Sequence, residues 1–270
     1  MGYKIAVAGK GGVGKTTVVG SLARVWARDG MKVLAVDADP ASHLHSVLEV
    51  PLDRVPKPIS AELDLIEERT GSRPGATTGP FYKLNPKVDD IPDAYSVKGA
   101  DGVRLVVLGT IRAAGSGCFC PENAILRALL DHIILERDDA VLVDMEAGLE
   151  QFGRATCRGV DLLLIVVGPS ARAVDTGRRI AALAREMGLE RMAVVANHVT
   201  GEHDERAIRS MLAEHGLELS FALPRSEVVA RADIEGRSVF QMDAAKDWES
   251  PVRGLSNEIQ RMLDRVSDAV

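Results

Sequence analysis

With 270 residues, 46% hydrophobic content, 4% aromatics and a formal net charge of −6, the chain can bury one sizeable core of aliphatic side chains, in one or two domains. The acidic balance does not favour general affinity for nucleic acid or for an anionic membrane surface. The longest apolar run, Leu162–Val167, is far shorter than the ~18 residues a membrane span needs, and three cysteines make no secreted disulfide framework; a soluble, cytoplasmic protein with reduced thiols is expected.

The first predicted strand, Ile5–Ala8, runs into Gly9-Lys-Gly-Gly-Val-Gly-Lys-Thr16, ahead of a helix predicted over Lys15–Arg28. This run fits G-x-x-x-x-G-K-[ST], the phosphate-binding loop. Gly11, Gly12, Val13 and Gly14 bring backbone N–H groups around phosphate oxygens, with Lys15 against the β/γ phosphates, the Thr16 hydroxyl on magnesium and Thr17 following in the helix. The ligand implied is a nucleoside triphosphate. Lys10 is a second cation in the same loop. It cannot easily share the γ-phosphate with Lys15 within one subunit, so it is expected to reach across a dimer.

A second strand, Val33–Asp37, ends in Asp37-Ala-Asp39-Pro40, with His43 and His45 just beyond. Two histidines two apart in a loop are a weak metal signal. From Pro51 to Gly102 lie seven of the twelve prolines and one helix-like piece, Ala61–Thr70. This Pro-rich elaboration at about 51–102 reads as part of a single domain spanning 1–270, serving either partner recognition or gating, or as a surface excursion. Further strands are predicted at Leu105–Leu108, Val141–Asp144, Leu162–Val167, Met192–Asn197 and near Ser220–Leu223. Helices are predicted at Glu122–Glu136, Val174–Glu186, Glu205–His215 and Pro251–Ala269. Strands alternating with helices imply a doubly wound α/β fold, a mostly parallel sheet flanked by helices, with its ligand at the carboxyl ends of the strands. The last helix carries Val252, Leu255, Ile259, Met262, Leu263 and Val266 at helical spacing. That stripe reads as core packing, because the polar face mixes acids with arginines and lacks bulky aromatics.

The loop with its extra lysine resembles the deviant Walker A loop of the MinD/ParA/nitrogenase iron protein superfamily of P-loop ATPases. The resemblance implies hydrolysis of ATP to ADP and phosphate in a nucleotide-sandwich homodimer. Lys10 would contact nucleotide held by the partner, much as an arginine finger does. It also implies that Asp39 orients the hydrolytic water, that Asp144 is a Walker B carboxylate holding magnesium, and that Gly148 is the switch that senses the γ-phosphate, with Glu146 beside it. Asn197 and the run Leu223-Pro224-Arg225 fall where that superfamily contacts an adenine base.

Cys118-Phe-Cys120 precedes Pro121-Glu122-Asn123. Pro121 suits the first helical position and Cys120 stands where a cap would be, so the helix dipole favours thiolate. Two thiolates cannot fill a four-coordinate soft site, but a twofold dimer supplies four. Zinc, nickel, copper(I) and an iron–sulfur cluster all remain open for such a set. Cys157 reads as a packed apolar residue. Gly9–Thr17, Asp37–Pro40, Leu84–Asp89, Cys118–Asn123 and Val143–Gly148 together resemble the CooC-type nickel-insertion ATPases, with Gln151 standing where those lead one to expect histidine. The resemblance implies an ATP-dependent metallochaperone. Its nickel, with zinc possible at the same Cys118 and Cys120 thiolates across the dimer, would pass to apo carbon monoxide dehydrogenase, with no nucleic acid and no membrane as partner. An iron–sulfur carrier ATPase and a ParA/MinD-like positioning ATPase are the alternatives; the charge and the lack of a membrane-binding helix count against the second.

Overall fold

The structure, a computed structural model, describes residues 3–39, 43–74, 82–109, 121–135, 140–145, 159–189 and 191–267. Among the described residues the strands are β1 (Lys4–Gly9), β2 (Val33–Asp37), β3 (Val97–Lys98), β4 (Arg104–Val107), β5 (Ala140–Asp144), β6 (Leu162–Val167), β7 (Met192–Val199) and β8 (Leu219–Pro224). They form one sheet in the order β3-β4-β2-β5-β1-β6-β7-β8. Every pairing is parallel except β3 with β4. The chain winds outward from β1 on one side, returns through β5, and only then builds β6 to β8 on the other side. The strand carboxyl ends beside β1 therefore form the crevice that a doubly wound sheet offers a ligand. All residues of β1, β2, β5 and β6 are buried, as continuous aliphatic strands covered on both faces must be.

The helices are α1 (Lys15–Arg28), α2 (Leu44–Val47), α3 (Leu63–Thr70), α4 (Ile91–Ala94), α5 (Pro121–Leu135), α6 (Ala171–Glu186), α7 (Glu202–Ala213), α8 (Glu227–Ile234) and α9 (Ala245–Ser267). One face of the sheet packs against α5, whose Ile125, Leu126, Leu129, Leu130, Ile133 and Ile134 are buried as their spacing predicts. Ile59, Leu65, Ile66, Val88 and Ile91 of the Pro-rich elaboration enter that same core. The opposite face is covered by α1 and α9, which exchange indole hydrogen bonds. Trp26 Nε1 donates to Ser256 Oγ and Trp248 Nε1 to Ser21 Oγ, each at 2.9 Å.

The seven predicted strands are present, and the structure adds what the sequence pattern did not signal. β3 is only two residues long, and α2, α4 and α8 span eight residues or fewer, too short for a periodicity to register. The last helix starts six residues before Pro251, which lies inside it. A proline there removes one backbone hydrogen bond, yet buried Trp248 and Val252 on either side continue the stripe of Leu255, Ile259 and Leu263, and that packing carries the helix through. Val252, Leu255, Ile259 and Leu263 of the predicted stripe are core, and Met262 is partly buried against it. Among the described residues no helix is long and apolar enough to cross a membrane.

An ion network centred on the buried Arg24 ties the elaboration to α1. Arg24, 4% exposed, donates through Nε to Asp101 Oδ2 at 2.7 Å and also pairs with Glu49. Its Nη1 donates to Ser238 Oγ at 3.0 Å, and its guanidinium lies 4.3 Å from the centre of the Phe240 ring. Asp101 also pairs with Arg28 at 3.1 Å. Burial by itself raises the pKa of Asp101, but the hydrogen bonds and charges of Arg24 and Arg28 outweigh it and hold the carboxyl below its ordinary range. The sign follows: the folded pKa lies below the unfolded one, so Asp101 stabilises fully above the usual carboxylate pKa and progressively less as the pH falls through its folded value. Asp101→Asn, a residue that tolerates the left-handed φ of 55° found here, is expected to destabilise the protein by about 1.5 kcal/mol at neutral pH. Urea unfolding should show the gap between variant and parent narrowing on acidification below pH ~4.

Candidate active site

The phosphate-binding loop leaves β1 at Gly9, where the chain passes so close to β6 that a Cβ would lie 2.3 Å from the Val166 carbonyl oxygen. At its far end Gly14 precedes α1 with φ 86°, a conformation glycine reaches without strain. A Cβ at this position would sit 2.4 Å from Asn197 Nδ2. The first turn of α1 contains no acidic residue, and no side chain caps it. The amides and the positive end of the helix dipole are thus available to an anion.

Three carboxylates and two loop side chains meet at the carboxyl ends of β1, β2 and β5. The Thr16 hydroxyl donates to Asp144 Oδ2 at 2.6 Å, and Asp144 is fully buried. Lys15, 6% exposed, holds its Nζ 3.5 Å from Asp39 Oδ2. Asp37, paired in register with Asp144 across β2 and β5, accepts from the Asp39 backbone N–H through Oδ1 at 3.3 Å, which fixes the turn that carries Asp39. Residues predicted from separate motifs therefore converge: Lys15, Thr16, Asp39 and Asp144 occupy one corner. The Lys10 carbonyl accepts from Val13 N–H at 3.4 Å, and Lys10 is not among the residues found lining the cleft.

This corner opens into a cleft of about 580 Å³ whose walls include Gly11, Gly12, Gly14 and Thr17 on one side and His198, Arg225, Val229 and Ser238 on the other. Asn197 lies beneath the loop. It is 2% exposed, donates through Nδ2 to the Val13 carbonyl at 2.9 Å and accepts the His198 backbone N–H through Oδ1 at 2.9 Å. Pro224 ends β8, and the Arg225 N–H donates to the Val199 carbonyl at 2.9 Å, which seats Arg225 on the cleft wall; Pro224 itself faces two neighbouring depressions. The wall formed by α8 and the Ser238 turn was not legible in the motifs. The one hint was Ser226, whose side chain caps α8 by accepting from Val229 N–H.

The rings of His43 and His45 are 5.8 Å apart, and burial followed by the proximity of His43 lowers the pKa of His45. Among the described residues no group of three or more His, Cys, Asp and Glu is disposed to hold a metal ion. Cys118, Cys120, Cys157, Glu146, Gly148, Gln151 and Pro40 lie outside the described residues.

Residues 4–239 match the CobQ/CobB/MinD/ParA nucleotide binding domain. The carbon monoxide dehydrogenase accessory protein CooC of Rhodospirillum rubrum is 43% identical over 90% of this chain and 91% of its own. The chain belongs to the CooC-type P-loop ATPases. An uncharacterized ATP-binding protein of Methanocaldococcus jannaschii is 42% identical over 91% of this chain and 95% of its own. In fold, the chain is similar to the MinC:MinD cell division protein complex of Aquifex aeolicus, with a TM-score of 0.65, 21% identity, and coverage of 94% of this chain and 96% of that one. As a CooC-type ATPase, the chain binds and hydrolyses ATP. Gly14→Ala forces a side chain into both the left-handed region and the Asn197 amide, and is expected to cost about 1–3 kcal/mol of stability. Nucleotide affinity should fall with it; thermal unfolding with and without MgADP separates the two losses, because the ligand-induced rise in Tm should shrink as well as the baseline.

Proposed function

We propose that this CooC-type ATPase is an ATP-driven nickel-delivery protein for carbon monoxide dehydrogenase, acting as a homodimer that closes on MgATP and loosens on hydrolysis. What carries this reading is a chain 43% identical to CooC that has an intact loop–Lys15–Asp39–Asp144 corner and keeps the pair Cys118-Phe-Cys120 in its sequence. Nickel is the cargo. A pair of thiolates from each of two subunits makes the four-sulfur set such a soft cation accepts, and zinc competes for the same set.

At the phosphate end, the Thr16 hydroxyl and Asp144 carboxylate are hard oxygen donors of the kind magnesium takes alongside substrate phosphates; a bound magnesium ion would there offset phosphate charge. Lys15 is paired with Asp39. A triphosphate brings several negative charges in place of that one carboxylate, so Lys15 transfers its interaction to the β/γ oxygens and Asp39 turns to the attacking water, accepting its hydrogen bond in line with the γ-phosphorus. Lys10, whose side chain belongs to the loop but not to the cleft wall, then completes the partner subunit's phosphate site. Phosphate departure removes the ligand that orders the Gly148 switch, and the thiolate set opens toward the acceptor enzyme.

Two outcomes test this reading. Asp39→Asn should retain MgADP binding while phosphate release slows by about 100-fold or more, the usual scale for removing a group that handles the reacting proton. In anaerobic size-exclusion chromatography with inline metal analysis, the parent should carry one nickel per dimer in a nucleotide-dependent manner, and Cys118→Ala/Cys120→Ala should carry none while still hydrolysing ATP. Dimers that form with nucleotide yet hold no nickel would point to the positioning ATPases instead.

A further inference from the structure

Regular pleating sends consecutive side chains of a strand to opposite faces. At the carboxyl end of β7 this rule is broken. The β7–β8 register slips between Ala196 and Val199, and His198 adopts φ 61°, a left-handed conformation uncommon for a side chain of its size. The irregularity turns two neighbouring side chains toward the same loop glycine: Asn197 Nδ2 and His198 Nε2 lie 2.4 and 3.4 Å from the point a Cβ on Gly14 would occupy. Bulges beside active sites commonly re-aim a side chain in this way.

The two residues have different tasks. Asn197 is buried and hydrogen-bonded at both ends of its amide, to the Val13 carbonyl and to the His198 N–H. His198 is only partly buried and lines the cleft with Lys15, Thr16, Thr17 and Arg225.

We propose that His198 is a nucleotide contact that sets base preference, its ring lining the cleft beside Gly14 and near Arg225. Burial, and then the charge of Arg225, lower its pKa, so the ring is neutral at physiological pH. A neutral imidazole offers one donor and one acceptor. Adenine presents an amino donor where guanine presents a carbonyl acceptor, so a ring fixed in one tautomer by its surroundings can favour one base over the other. Asn197 is the positioning residue: it holds the loop and, through the His198 N–H, the backbone that aims the ring.

The proposal rests on the nucleotide-binding reading of the cleft, and calorimetric titration of the full-length chain with MgADP and MgGDP tests the two separately. Glycine accepts φ 61° freely, so His198→Gly deletes the ring and leaves the bulge relaxed. It is expected to weaken MgADP binding by about tenfold, the scale of one good hydrogen bond in a desolvated site. MgGDP binding should fall less, so that the preference for adenine narrows, with Tm not lowered. His198→Asn, which tolerates the left-handed backbone and restores a donor and an acceptor, should recover much of the loss. Affinities for both nucleotides unchanged in His198→Gly, or lowered equally, would overturn the proposal and reduce His198 to a bend in the strand. A parent that binds neither nucleotide, or Lys15→Ala binding as the parent does, would instead overturn the nucleotide site as a whole, and His198 with it.

Discussion

The glycine-rich loop between β1 and α1 rests on one buried contact, the Asn197 amide against the Val13 carbonyl, 2.9 Å away. A glycine-rich loop is conformationally permissive and loses much entropy when fixed, so something must hold it in the shape that directs its amides at an anion. β7 does so from a strand two places from β1 in the sheet. The contact requires a residue without Cβ at position 14, because the Asn197 nitrogen fills that space. β7 also ends irregularly, and both Asn197 and His198 come close to Gly14.

From that anchor the rest of the corner follows through the sheet register. β1 pairs with β5 and β5 with β2, so Val7, Asp144 and Asp37 lie side by side at the strand ends. Burying Asp37 and Asp144 in an aliphatic sheet is costly unless their oxygens are used. Asp37 Oδ1 accepts from Asp39 N–H and Asp144 Oδ2 accepts from Thr16. The fold and the chemistry therefore place the same demand on these residues: the hydrogen bonds that make their burial tolerable also bring Thr16 and Asp39 to the phosphate end. On the far side of α1, Arg24 does for the elaboration what Asn197 does for the loop. It draws together Glu49, Asp101 and Ser238, all distant in sequence, and Ser238 with its neighbour Val239 forms part of the cleft wall.

The parallel strands and the phosphate loop were legible because each is local. Ile5–Ala8 followed by Gly9–Thr16 is a strand, a turn and a helix start within a dozen residues, and Val33–Asp37 and Val141–Asp144 announce their burial by composition alone. Beyond Arg225, the far wall of the cleft was not legible because it is assembled from pieces too short to show a period, among them α8 and the Ser238 turn. Arg24 was invisible for another reason. In sequence it is one arginine on a helix that also carries Arg28, and only the tertiary fold reveals that one is buried in carboxylates while the other sits at the rim. His198 escaped notice because its significance lies in a backbone angle, and no composition or spacing encodes φ for a non-glycine residue.

The Lys15–Asp39 pair is where the proposed switch meets this architecture. Both side chains are nearly buried, so their charges interact through a medium less polarizable than water and each neutralises the other. In the proposed cycle a nucleotide that reaches the loop competes for Lys15 with more negative charge than Asp39 carries, and in taking the lysine it changes the electrostatic surroundings of Asp39. Asp39 sits just beyond β2 on a turn fixed by Asp37, and it borders the cleft together with His43 and Val47 of α2. The proposed coupling of binding to a first response runs through this single exchange of partners. That coupling needs no long-range pathway, since the residues involved share hydrogen bonds or a common wall.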